Sequence, residues 1–110
     1  MTCLDTIKNA LLSVSQNVSH YSAVKKCPPY IVWEEDGQGE GLWADGKMIG
    51  QVLTGTIDLF TASLNDEPLF GAIQNALSGA NISWQLNSIQ YEERSKWLHY
   101  EWAWEVVNCG

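Results

Sequence analysis

The chain has 110 residues, 45% of them hydrophobic, with six tryptophans and a formal net charge of −7. That length suits one domain with its own core, and that composition excludes an intrinsically disordered chain. The acidity excludes recognition of a nucleic-acid backbone through a basic patch, because a negative surface repels phosphate.

The charge is unevenly placed. Residues 1–29 hold Lys8, Lys25 and Lys26 against Asp5, while residues 30–110 hold twelve acids against Lys47, Arg94 and Lys96. Cys3, Cys27 and Cys109 are odd in number and form no CxxC pair, and the histidines are His20 and His99 alone. Zinc therefore has few ligands to draw on, and the thiols read as structural or incidental. The opening MTCLDTIKNALLSV has Asp5 and a polar Lys8-Asn9 break where a signal peptide needs an apolar run. No run approaches membrane-spanning length. The expectation is a cytoplasmic chain with reduced cysteines. The sequons at Asn17 and Asn81 then carry no weight.

Leu4, Ile7, Leu11, Val14 and Val18 recur at intervals of three and four, one apolar stripe on a helix. Thr2 stands at the N-cap position, so the spacing predicts a helix over 2–16. Residues 17–27 are polar and mixed and read as connector. Pro28-Pro29 forbids helix, and Tyr30 to Glu34 (YIVWE) reads as a strand. EEDGQGEGLWADGKMIG follows, with five glycines between Gly37 and Gly50 and five acids between Glu34 and Asp45. This predicts a flexible acidic loop at about 35–47.

Residues 51–61 (QVLTGTIDLFT) form a second strand, with Leu53, Ile57 and Leu59 on one face beside Gly55. A mid-strand glycine points to a bulge or to close approach of another backbone. Asn65-Asp66-Glu67-Pro68 starts a second helix, whose apolar face is Leu69, Ile73, Ala76 and Leu77, with Phe70 beside it, and whose stop is Gly79. Ile82 to Leu86 alternates, and Ile89 and Tyr91 resume the alternation one step out of phase, which predicts a bulge near Asn87-Ser88. A turn at 92–95 leads into the last strand, WLHYEWAWEVV.

That last stretch organises the rest. Leu98, Tyr100, Trp102, Trp104 and Val106 fall on one face, and Trp97, His99, Glu101, Ala103 and Glu105 on the other. The three aromatics on the first face supply gross burial on the order of 10 kcal/mol. The second helix is their natural cover. The order is α-β-β-α-β-β, which predicts a single α+β domain over 1–110: a two-layer sandwich with one largely antiparallel sheet of four to five strands and both helices on one side.

Chemistry is harder to find. Read as a calcium loop from Asp36, the glycine-rich stretch puts Lys47 at the twelfth position, where a bidentate glutamate belongs. A looser metal site from Asp36, Glu40 and Asp45 weighs less than a solvated loop. The run Gly37-Gln38-Gly39-Glu40-Gly41 lacks the lysine and the helix of a phosphate loop. His99 and Glu101 could be an acid–base pair, but no serine or cysteine stands in a nucleophile motif. The residues suggest no catalytic group, no metal and no cofactor. Instead, apolar residues occur in odd places: Leu42-Trp43 in the loop, and Trp33 and Trp97 at strand ends with no evident cover. Exposed aromatics of this kind anchor protein partners, unless the loop folds back over its own sheet. Open sheet edges would add to that surface.

The element order, with Pro29-Tyr30-Ile31-Val32 after a proline turn, the strand Gly55 to Thr61, the helix Asp66 to Leu77 and the polar-aromatic strand Leu98 to Val107, resembles the small tail terminator and tail-completion (head–tail joining) proteins of tailed phages and prophages. The resemblance implies a non-enzymatic virion assembly protein, made in the host bacterial cytoplasm and resident in the tail or neck. It implies a homo-oligomeric ring, usually a hexamer, that caps the tail tube and docks the neck or head-completion protein. Its partners would be itself, the tail-tube protein and the neck protein, with no membrane and no specific nucleic-acid binding. DNA could pass through a negative ring without sticking. On that reading Asp36, Glu40, Leu42, Trp43, Met48 and Trp97 are the expected interface residues; their choice follows from the loop's composition. Two other readings stay open: a monomeric module that binds a partner through the Trp43 loop, and a small enzyme around His99, Glu101 and Asp58.

Overall fold

The structure, a computed structural model, describes residues 3–23, 25–39, 42–44, 47–62 and 66–107. In chain order the elements are α1 (Cys3–Leu12), β1 (Val18–His20), β2 (Tyr30–Gln38), β3 (Leu42–Ala44), β4 (Lys47–Gly50), β5 (Leu53–Thr61), α2 (Glu67–Gly79), β6 (Ser83–Glu92) and β7 (Trp97–Val106). Five strands form one sheet in the order β1-β2-β5-β7-β6.

The alternation of β7 decides which side is core. Tyr100, Trp102, Trp104 and Val106 are buried, and Trp102 is fully so. Helix α2 is their cover: the ring of Phe70 lies 5.1 Å from Tyr100 and 5.6 Å from Trp102. Ile73 and Leu77 of α2 are completely buried in the same cluster. The Trp102 Nε1–H, which burial would otherwise leave unpaired, donates to Gln74 Oε1 at 3.2 Å. From α1, Ile7, Ala10 and Leu11 join that core against Ile31, Trp33 and Ile57. Both helices therefore pack on one side of the sheet, and the architecture is a two-layer α+β body.

Three expectations need correction. The sheet is mixed. Within the connector of residues 17–27 lies β1, which pairs parallel with β2 through Val18↔Ile31, Ser19↔Val32 and His20↔Trp33. A three-residue strand shows too little periodicity to be seen in sequence. It is held by backbone geometry, the Ile31 amide donating to the Asn17 carbonyl at 3.0 Å. Asn17 Nδ2 adds donations to the carbonyls of Cys27 (3.2 Å) and Pro29 (3.3 Å), beside the cis Pro28–Pro29 bond. As a result Trp33, expected without cover, is buried, with the His20 ring stacked on it at 4.0 Å.

The acidic glycine-rich stretch is not one loop. Strand β2 continues through Gln38, and β3 and β4 pair as a separate antiparallel hairpin. The order is thus α-β-β-β-β-β-α-β-β. Glycines spaced among residues of strand propensity are compatible with extended backbone. Register against β5 shifts between Glu35 and Gly37, a bulge at Asp36 that the sequence pattern did not reveal.

Helix ends also differ. Helix α1 stops at Leu12, short of the predicted Gln16, and Thr2 lies outside the described residues. In α2 the N-cap is Asp66, within the expected helix start, and it makes no side-chain capping bond. Gly79 is the last helical residue, but the left-handed residue that turns the chain is Asn81 (φ 60°). The bulge near Asn87 is present, as a register shift between Leu86 and Ser88. The β6–β7 turn closes with the Lys96 amide on the Glu92 carbonyl, Lys96 itself at φ 63°.

Candidate functional site

The side of the sheet away from the helices is largely uncovered, and cross-strand register says what it carries. The pairs Tyr30↔Phe60, Val32↔Asp58 and Glu34↔Thr56 join β2 to β5. The pairs Phe60↔His99, Asp58↔Glu101, Thr56↔Ala103 and Thr54↔Glu105 join β5 to β7. Ser88↔Glu101 and Glu92↔Trp97 add β6. Each pair shares a face. Six carboxylates therefore stand on one surface: Glu34, Asp36, Asp58, Glu92, Glu101 and Glu105. The five strands contain no Lys or Arg.

At one end of this face the rings are continuous. Tyr30 stacks on Phe60 at 4.6 Å, and Phe60 stacks on His99 at 4.3 Å. Trp97 stands edge-on to Tyr30 and Phe60 at 6.0 and 6.5 Å. His99 Nε2 lies 2.6 Å from Asp58 Oδ1, and Nδ1 lies 3.9 Å from Glu92 Oε1. Burial raises the Tyr30 phenol above its ordinary value, and the charges of Glu92 and Asp58 add to that rise. Residues 21–23 and Lys26 border this corner, where a shallow hollow of about 270 Å³ is lined by Tyr21, Lys26, Tyr30, Asp58 and Phe60. At the other end lies an open trough of about 450 Å³, lined by Asp36, Thr54, Thr56, Gln85, Asn87 and Glu105. There the Thr54 hydroxyl donates to Asp36 Oδ1 at 2.9 Å, which aims the bulged carboxylate over the trough.

A second titratable group sits at the β1 edge. Glu35 accepts from the Tyr21 hydroxyl and lies 2.7 Å from His20 Nε2, while His20 stacks on both Tyr21 and Trp33. Burial pushes the Glu35 carboxyl up. The bonds from Tyr21 and His20, its own backbone amide and the His20 charge outweigh it and hold the carboxyl below its ordinary value.

The expected interface residues are scattered over the fold. Asp36 and Trp97 belong to the uncovered face, Trp97 half-buried at the start of β7. Leu42, Trp43 and Met48 lie in the β3–β4 hairpin, which among the described residues has no extensive contact with another element. Glu40 lies outside the described residues. Sequence reasoning missed Tyr30, Phe60 and Glu92. Strand parity placed Phe60 with Asp58, but only the register puts both against His99.

For an enzyme, His99 and Asp58 do meet, with Glu101 beside them. Both imidazole nitrogens face carboxylates, and among the described residues no Ser, Thr or Cys bonds to either nitrogen. The triad logic needs a nucleophile at one of those positions. Among the described residues no three His, Cys, Asp or Glu side chains converge as a metal site, and no helix is long and apolar enough to cross a membrane.

The fold is similar to that of a chain in the virion of a native gene transfer agent particle. The TM-score is 0.53 at 7% identity, and the match spans 99% of this chain and 96% of that one. At such identity the likeness is one of fold. No protein-family profile and no curated protein matches the sequence.

Proposed function

We propose that this chain is a non-enzymatic structural protein of a phage-like particle, one that closes as a ring on the end of the tail tube and joins it to the neck. The observation that carries this reading is the likeness of fold to a virion chain, which spans 99% of this chain and 96% of that one. Three surface features support it. Among the described residues the β3–β4 hairpin, with Trp43 in its first strand, makes no extensive backbone contact with the five-stranded sheet. Strand β6 is a ten-residue sheet edge, and within it Ile89 and Tyr91 are 52% and 57% exposed. An open edge flanked by apolar side chains is a surface for pairing with another chain. The net charge of −7 lets DNA pass a ring without adhering.

The test is electron microscopy of the protein mixed with a tail-tube subunit, with sedimentation of the protein alone. Rings or uniformly capped tubes are the expected result. A monomer at high concentration that leaves tube length unaltered would overturn the reading and favour a monomeric binding module.

A further inference from the structure

We propose that the uncovered face of the five-stranded sheet docks a basic polypeptide segment of a different protein, an extended one presenting Arg or Lys at alternate positions. This goes beyond the ring reading and does not require it, since a monomer presents the face equally well.

Three observations together choose the occupant. First, among the described residues the face is a sheet surface without a second layer. The helices occupy the other side, and residues 21–23 and Lys26 border one corner. Second, the charge its strands carry is of one sign, with Lys26 standing at the bordered corner alone. Glu34, Asp36, Asp58, Glu92, Glu101 and Glu105 come from four strands whose sequences hold no lysine or arginine. His99 is already engaged by Asp58 and Glu92. Third, the face is not merely acidic. The stacked slab of Tyr30, Phe60 and His99, edged by Trp97, offers ring faces beside the carboxylates. Planar guanidinium groups favour that pairing of aromatic face and carboxylate.

Geometry sets the form of the segment. Strand residues rise about 3.3 Å each, so side chains that share a face repeat at roughly 7 Å. Glu101 and Glu105 lie on one strand with Ala103 between them, and Asp58 stands directly across from Glu101. Glu101 and Glu105 are thus about 13 Å apart, two such repeats, and an extended peptide with a cation at every second residue meets them with its first and third cations, whereas a helix brings same-face side chains round only every third or fourth residue. A second copy of this chain is the wrong occupant. It brings a further charge of −7, and the strands of its own five-stranded sheet supply no Lys or Arg to offset it.

The experiment uses the full chain at about 50 mM salt, where electrostatic docking is only partly screened. The probe is a synthetic twelve-residue peptide alternating Arg with Ser, followed by calorimetry. Glu101→Gln with Glu105→Gln removes two charges from the face. Asp66→Asn with Glu67→Gln removes the same two charges at the start of α2 and controls for net charge. The expected result is affinity reduced about tenfold or more by the face pair and less than about twofold by the control, because contact pairs outweigh long-range field. Circular dichroism confirms that both variants fold. A peptide with the same Arg content in one block, binding equally well, would reduce the effect to counterion attraction and overturn the proposal. So would equal losses in the two variants, or no binding of the probe. Binding confined to the monomer and lost in assembled rings would mean that a second copy covers the face, which also overturns it while leaving the ring reading intact.

Discussion

The indole of Trp104 lies across Gly55, its cross-strand partner, where any other residue would carry a β-carbon. A β-carbon built there comes within 2.3 Å of Trp104 Cζ2 and 2.1 Å of the Glu34 carbonyl oxygen. The ring is pinned as well, its Nε1–H donating to the Thr56 carbonyl at 3.1 Å. This contact ties β2, β5 and β7 together at the middle of the sheet.

Gly55→Ala should therefore cost about 3 kcal/mol or more, at or beyond the upper end for overpacking, because neither the backbone nor the pinned ring can yield cheaply. Denaturant unfolding measures it. A loss under about 1 kcal/mol would mean that the indole swings aside freely.

Trp102 is fully buried and is the larger anchor of α2. Trp102→Ala removes its packing on Phe70 and leaves Gln74 without its donor, so destabilisation of about 3–5 kcal/mol is expected in the same assay. Retention of wild-type stability would show that the helix layer is held by other contacts.

Trp43→Ala is expected to do the reverse. Because the β3–β4 hairpin has no extensive contact with the other described elements, the melting temperature should change little while assembly weakens. A large fall in melting temperature would place the residue in its own subunit's core.

The Glu35 carboxyl is held below its ordinary value in the folded chain, so it contributes stability at neutral pH. That contribution disappears as pH falls from the ordinary glutamate range down through the lowered folded value. Glu35→Gln should flatten this acid limb of the stability profile. The Tyr21 phenol, raised first by its hydrogen bond to Glu35, behaves oppositely. Its contribution is present below the ordinary tyrosine value and is lost as pH rises through the raised one. Tyr21→Phe should remove the alkaline effect and weaken the acid one. An unchanged acid limb in both variants would show that the contact is not formed in solution.

Strand and helix identity followed from local pattern wherever side chains repeat over several turns or pleats. The alternation of β7, the stripe of α2, the slip at Asn87 and the close approach at Gly55 are all legible in the sequence, since each rests on a fixed backbone period. Pairing was not. That β1 runs parallel beside β2, that Trp33 is buried beneath His20, and that Phe60, His99 and Trp97 share one ring slab with Asp58 are matters of register between strands up to 41 residues apart. Period tells a side chain which side of its own strand it occupies. Only the packed sheet tells it which neighbours stand there, and on this protein those neighbours turn six separate acids into a single face.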